Sequence, residues 1–238
     1  MAERGRRRGF DRAQALERAM QLFWRKTYEG ASLAELTEVM GINPPSLYAA
    51  FGSKEALFCE AVAHYAEHQG VEIWRALEEA PSAREALERF LLATASAYST
   101  PGDPPGCLIV LGAQHGLDEG NAAHLELRAR RCGNLAQIAD RLSRAVSEGE
   151  LPAAFAVGDA AAFYLSVQSG MSVLARDGAD RATLEAVARG AMLGWDRWCA
   201  AAACDELLQR HGDGGRGDGL LPRCGRQVPR TGDADLQP

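Results

Sequence analysis

Asn43, Pro44, Pro45 and Ser46 open a short run isolated by two glycines, Gly41 before it and Gly52 after it. An amide and a hydroxyl beside two proline rings suit the edge of a nucleic-acid base. The polar groups can pair with base atoms or phosphate, and the rings can meet a thymine methyl. Tyr48 and Lys54 stand within reach of phosphate oxygens, and Arg6, Arg7 and Arg8 form an arm suited to backbone or minor-groove contact. Other reactive side chains lack partners in the sequence. His64 and His68 have the four-residue spacing of a two-ligand metal face, but no HExxH or CxxC completes a site, so no metal is expected. Cys107 follows Pro105-Gly106 at a helix start, where free amides can lower a thiol pKa, although a small buried residue is the simpler reading. No GxSxG, Walker loop or Ser/His/Asp arrangement is present, so no enzymatic activity or cofactor is expected.

The elements that must position these residues are helical throughout. Asp11 with Gln14 resembles a capping box, after which Leu16, Ala19, Met20, Phe23 and Trp24 recur at helical intervals up to Gly30. Ser32 with Glu35 opens a second helix, whose stripe is Leu33, Leu36, Val39 and Met40. Gly41 permits the positive φ of a tight turn, Asn43 is a good N-cap, and Pro44 falls at the first helical position, where its missing N–H costs nothing. Leu47 and Phe51 then face a core, and Ser53 caps a longer helix through Leu57, Phe58, Ala61, Val62 and Tyr65. Two short helices joined at Gly41 have the form of a helix-turn-helix, in which the second helix enters a DNA major groove by its N-terminal end.

Further helices are expected at 82–98, 107–117, 121–146, 159–176 and 181–204, with a breaker at 101–106. No Val/Ile/Thr alternation suggests a sheet. Residues 205–238 are expected to form a disordered tail. From Gly212 onward seven Gly and three Pro leave little apolar surface to offset ordering entropy. The GxGxxG at Gly212, Gly214 and Gly217 has no strand before it and no βαβ unit around it.

The 238 residues carry a formal net charge of −6, distributed unevenly. Residues 1–28 hold eight Arg or Lys against three acids, a positive head on an acidic body, which suits polyanion contact at one end. No segment is apolar enough to span a bilayer, and the basic start lacks the apolar run of a signal peptide. Six scattered cysteines without paired spacing fit a reducing cytoplasm better than a disulfide framework.

Residues 10–65 resemble the N-terminal domain of the TetR family of transcriptional regulators. The matching text is Ala15-Leu16 through Phe23, Gly30-Ala31-Ser32-Leu33, Gly41-Ile42-Asn43, and Ser46-Leu47-Tyr48-Ala49-Ala50-Phe51-Gly52-Ser53-Lys54-Glu55-Ala56-Leu57. The resemblance implies that Ser32 is a phosphate-binding hydroxyl, that Asn43 to Ser46 read bases, and that Tyr48 and Lys54 contact the DNA backbone. The sequence departs from the family where many members carry Arg or Lys and His at Ala49 and Ala50, and Gly at Pro45. The resemblance further implies an all-α protein with a three-helix DNA-binding domain at 1–65 and a larger ligand-binding and dimerisation domain at 66–204. The expected partners are operator DNA, an effector and a second copy of the chain.

The C-terminal half resembles the family only in layout, so its residues are read from physics. Two late helices rich in small residues allow close backbone approach. Tyr164, Val167, Met171, Leu174, Leu184, Val187, Ala191, Met192 and Trp195 are candidates for a dimer interface, with the chain's own core as the competing role. Aromatic and polar residues mix on the middle helices. Trp74, Phe90, Tyr98, Cys107, His115, His124, Arg128, Phe163 and Gln168 are candidates for an effector cavity. The acidic body disfavours a strongly anionic effector, against which Arg128, Arg130 and Arg131 weigh. The function expected is DNA-binding regulation, most simply repression relieved by a small molecule. The alternatives are a thiol- or metal-responsive regulator of the same fold, or a helical ligand-binding or enzymatic protein with no DNA role.

Overall fold

The first helix, α1 (Arg12–Gly30), starts where the Asp11 carboxylate accepts the amides of Ala13 and Gln14, and it buries Ala15, Ala19, Met20, Leu22, Phe23 and Trp24. These coordinates come from a computed structural model, which describes residues 10–113 and 121–211, with side chains as far as residue 203. Arg6, Arg7, Arg8 and His115, and the tail from Gly212, lie outside the described residues. All described regular structure is helical.

Ser32 and Glu35 cap each other reciprocally at the start of α2 (Leu33–Met40). Gly41 follows at φ 69°, a left-handed conformation that turns the chain into α3 (Pro44–Phe51). Ser53 accepts the Ala56 amide and starts α4 (Lys54–His68). Helix α4 packs along α1, and Phe58 meets Phe23 edge-on at 5.0 Å and Tyr28 at 5.1 Å, so that α1 and α4 share one aromatic cluster.

The Glu35 carboxylate also holds Lys26. Its pKa is lowered to about 2, first by the hydrogen bond from Lys26 and then by the Ser32 amide and hydroxyl. The folded value lies below the ordinary one, so the contribution of this cap is intact above pH 4.5 and is lost as pH falls toward 2. A carboxyl NMR titration of Glu35 is expected to give a midpoint near 2, with the Ser32 amide shift following the same curve.

The larger layer comprises α5 (Val71–Glu79), α6 (Ala83–Tyr98), α7 (Leu108–Leu111), α8 (Ala122–Ser147), α9 (Val157–Arg176), α10 (Arg181–Met192) and α11 (Trp195–His211). Its core contains Leu87, Phe90, Leu91, Ile138, Leu142, Tyr164, Met171 and Leu184. Four features differ from the sequence expectation. Helix α5 has no side-chain cap, since Gly70 stands at that position, and so it lacked a start signal. Helix α7 is a single turn rather than a run to residue 117. The helix expected at 181–204 is divided at Leu193-Gly194, which lets both Met192 and Trp195 turn into the core. Helix α11 then continues past Cys204 to His211, into the stretch expected to be a tail.

Helix α1 is also interrupted. Thr27 adopts φ 66° and ψ 171°, a region that almost only glycine visits. The interruption turns the Tyr28 amide outward to donate to the Gly112 carbonyl at 2.6 Å, joining the end of α1 to the end of α7. Arg176 of α9 adds a second clamp, donating to the carbonyls of Trp24 and Pro105, each at 2.9 Å.

Candidate nucleic-acid interface and cavity

The leading end of α3 is an exposed edge on a buried base. Leu47 and Phe51 are buried, while Asn43, Pro44 and Pro45 are exposed and Ser46 is half-buried. The Asn43 carboxamide oxygen accepts the Ser46 amide at 2.9 Å, so the cap consumes the oxygen and leaves the NH2 group for a partner. Pro44 and Pro45 have no N–H, and that of Ser46 is taken. This end therefore offers side chains and ring faces, rather than a cluster of free amides. One turn on, Tyr48 is 47% exposed beside the small, outward Ala49.

Two other backbone-contact candidates, Ser32 and Lys54, are already engaged within the chain. The Ser32 hydroxyl donates to Glu35 at 2.8 Å and accepts its amide at 3.2 Å, so binding a phosphate there requires the hydroxyl proton to leave Glu35. Lys54 lies 4.6 Å above the Tyr28 ring, half-buried, and burial lowers its pKa. Lys26, joined to Ser32 through Glu35, adds a cation to this corner that the sequence reading did not single out. Arg12 binds the Glu60 carboxylate at 2.8 Å and covers the Phe51 ring at 4.3 Å, tying α1 to α3 and α4. The Glu17 carboxylate accepts from His64 Nε2 at 2.7 Å, and the His64 carbonyl accepts from His68 Nδ1 at 2.8 Å, so each imidazole has a protein partner.

A cavity of about 360 Å³ lies between α4, α5, α6, α7, α8 and α9. Four of the sequence candidates line it: Trp74, Tyr98, Cys107 and Gln168. The others do not. Phe90 is fully buried behind Trp74, with ring centres 5.3 Å apart. Arg128 is exposed, and Arg130, two positions on, reaches the cavity instead. Phe163 is 40% exposed on α9, against Tyr164 and Trp198. His124 is paired with Glu29 at 2.9 Å. The sequence reading missed Tyr65, Ile73, Ile109, Asn134 and Gln137. A signal for part of this wall was available, since Arg130, Asn134 and Gln137 recur at i, i+4 and i+7 on one face of α8.

The deep end of the cavity gathers Tyr65, Tyr98 and Cys107. Burial, followed by the nearby Cys107, raises both phenols well above their ordinary pKa, so they remain protonated. The Cys107 amide donates to Ser172 Oγ at 2.8 Å, fixing the thiol-bearing segment on α9.

The dimer candidates separate into two groups. Tyr164, Met171, Leu184, Met192 and Trp195 are buried within the chain, and side chains already packed in this core present no face to a second copy. Burial also raises the Tyr164 phenol to about 12. Leu174 is 40% exposed, and Val167, Val187 and Ala191 are half-buried. Phe163, Val167, Gly170 and Leu174 align at i, i+4, i+7 and i+11 on the outer face of α9, and an added Cβ at Gly170 or at Gly190 of α10 would meet only open space.

Comparison with known proteins adds four findings. The sequence model described as "Bacterial regulatory proteins, tetR family" matches residues 15–61. The chain is 32% identical over 198 residues to the HTH-type transcriptional repressor ComR of Escherichia coli (strain K12), an alignment covering 81% of this chain and 92% of ComR. It is 45% identical, at a TM-score of 0.76, to a cysteine-substituted form of the TetR family transcriptional regulator CifR solved with 26-bp double-strand operator DNA, over 80% of this chain and 100% of that one. A putative TetR transcriptional regulator from Rhodococcus sp. RHA1 is 38% identical at a TM-score of 0.51, over 77% of this chain and 97% of its own.

Proposed function

Because the chain belongs to the TetR family of helix-turn-helix transcriptional regulators, we propose that it is a sequence-specific repressor that leaves its operator when a small molecule fills the cavity. The observation that carries this reading is the exposed Asn43–Ser46 edge held on the buried Leu47 and Phe51. In this reading the DNA-binding domain is 1–65 and the effector and dimerisation domain is 66–204, with α4 running across the boundary. Two recognition helices about 34–36 Å apart in a symmetric dimer match successive major grooves. The outer stripe of α9, with Val187 and Ala191 of α10, is the face that suits a second copy. Tyr65, Ala66 and Glu67 of α4 line the cavity, while the same helix packs on α1 and follows α3. A ligand that displaces the end of α4 therefore shifts the recognition helices, with a coupling of about 1–3 kcal/mol.

Removing a backbone contact and removing a base contact have separable consequences. Tyr48→Ala is expected to weaken binding about tenfold on every DNA sequence, through loss of one hydrogen bond and its apolar contact. Ser46→Ala is expected to change base preference at one position of each half-site. Selection of bound fragments from genomic DNA with the purified protein, followed by titration at several salt concentrations, reads both effects. If both variants bind selected DNA as the unsubstituted chain does, the docking is wrong.

A second reading, a thiol-responsive repressor, is favoured by the position of Cys107 in the cavity wall between two phenols. It predicts operator release by a thiol-reactive compound and loss of that release in Cys107→Ser.

A further inference from the structure

We propose that the cavity takes an uncharged, largely apolar molecule whose carbonyl oxygen points to Tyr65, Tyr98 and Gln168. This rests on reading the cavity as the effector site and adds the chemistry of the ligand. The deep end is closed by Tyr65, Tyr98, Cys107 and Gln168, each less than a tenth exposed. Its polarity thus comes from neutral groups, and those groups are arranged to donate. The Leu108 amide hydrogen-bonds the Tyr65 oxygen, and the Tyr65 and Tyr98 hydroxyls both meet the Cys107 side chain, whose sulfur is only a weak acceptor. Gln168 Nε2 reaches Thr94 Oγ1 at 3.4 Å, which leaves a second N–H on the same nitrogen. Two phenols that share one thiol, and an amide with an N–H to spare, are served better by a ligand's carbonyl oxygen than by sulfur.

A carboxylate is also an acceptor, but a full charge at this depth needs a cation beside it. Three arginines are near: one is already paired with a carboxylate, and two are committed outside the cavity. Arg130 is held by Glu126 at 2.7 Å, toward the less buried end of the cavity. Arg131 donates to the Ile109 carbonyl at 3.1 Å, and Arg176 to those of Pro105 and Trp24. Neither Arg131 nor Arg176 lines the cavity. An ammonium group fares worse, because the floor would meet it with donors and the lining carboxylate, Glu67, is exposed to water. Trp74, Ile73, Ile109 and Ala66 provide the apolar walls, and about 360 Å³ accommodates a fused bicyclic skeleton.

Four naphthalenes of matched shape test this by calorimetric titration of the full chain without DNA: 2-acetylnaphthalene, 2-ethylnaphthalene, 2-naphthoate and 2-naphthylmethylammonium. The ketone is expected to bind about tenfold tighter than the hydrocarbon, one neutral hydrogen bond apart. It is expected to bind about 100-fold tighter than either ion, whose charge would go unpaired. Tyr98→Phe and Gln168→Leu should each weaken the ketone severalfold and leave the hydrocarbon unchanged, with Tyr65→Phe replacing any variant that fails to fold by circular dichroism. Naphthoate or the ammonium binding as tightly as the ketone overturns the proposal. So does equal binding of ketone and hydrocarbon, or no binding by any of the four below millimolar concentration. Operator binding is measured on the same preparation. Its absence alongside intact ketone preference counts against the repressor reading and leaves the ligand class standing.

Discussion

Replacing Phe58 by alanine is expected to lower the stability of the N-terminal helices by about 3–5 kcal/mol and to abolish DNA binding. Phe58 is fully buried at the contact between α4 and α1: Phe23 meets it edge-on at 5.0 Å and Tyr28 at 5.1 Å. Truncation removes the ring and opens a void in a close-packed core, which relaxes only partly to fill it. Phe58 belongs to the same continuous buried core as Leu87, Phe90, Leu142 and Tyr164, so its loss is felt across the chain. Calorimetry should therefore show the unfolding peak displaced to lower temperature. A single transition at the original temperature, with DNA binding retained, would show that the aromatic cluster does not hold the recognition helix in place. Phe58→Leu keeps most of the apolar volume and should retain binding with a smaller loss of stability.

The second large effect is expected at Gly106. Its φ is +82°, and an added Cβ would stand 2.6 Å from the Ser172 carbonyl oxygen and 3.0 Å from Ser172 Oγ. A backbone oxygen inside α9 cannot move aside as a side chain can. Gly106→Ala therefore combines a left-handed backbone penalty with a steric clash, about 2–5 kcal/mol together. For a chain of this size that corresponds to a fall in Tm of roughly 5–15 °C. The relief available is for residues 105–107 to lift off α9, which breaks the Cys107 amide bond to Ser172 and opens the cavity wall. Cys107 should then react faster with a disulfide reagent such as dithionitrobenzoate, measured against Cys107→Ser in the same background. Unchanged Tm and unchanged thiol reactivity would contradict the close approach of this loop to α9.

The segment from Pro105 to Gly112 matters beyond its own stability because of what it joins. It supplies Cys107 and Ile109 to the cavity, while its two ends bind α1 through Arg176 and through the Tyr28 amide. Its sequence reads as a breaker followed by an apolar stretch, which indicates a turn and a buried piece but gives no account of what they touch. The strained Thr27 is likewise invisible in a sequence, because threonine is a poor occupant of that conformation and signals nothing of the kind. It exists because the Gly112 carbonyl waits across a contact that only the folded chain makes.

The helix-turn-helix was legible because its determinants are local. Ser32 and Glu35 cap one helix, Gly41 turns the chain, Asn43 and Pro44 begin the next, and Ser53 begins α4, each acting over three or four residues. The cavity and the division of late apolar residues between core and outer face required the tertiary structure. Tyr65, Tyr98, Cys107 and Gln168 belong to four separate elements and meet only through the packing of those helices. The same limit applies to Tyr164 and Leu174, which share one helix and look alike in an apolar pattern, yet point to opposite destinations. Periodicity marks the apolar positions of a helix. Which of them the chain buries for itself is decided by where the neighbouring helices come to rest.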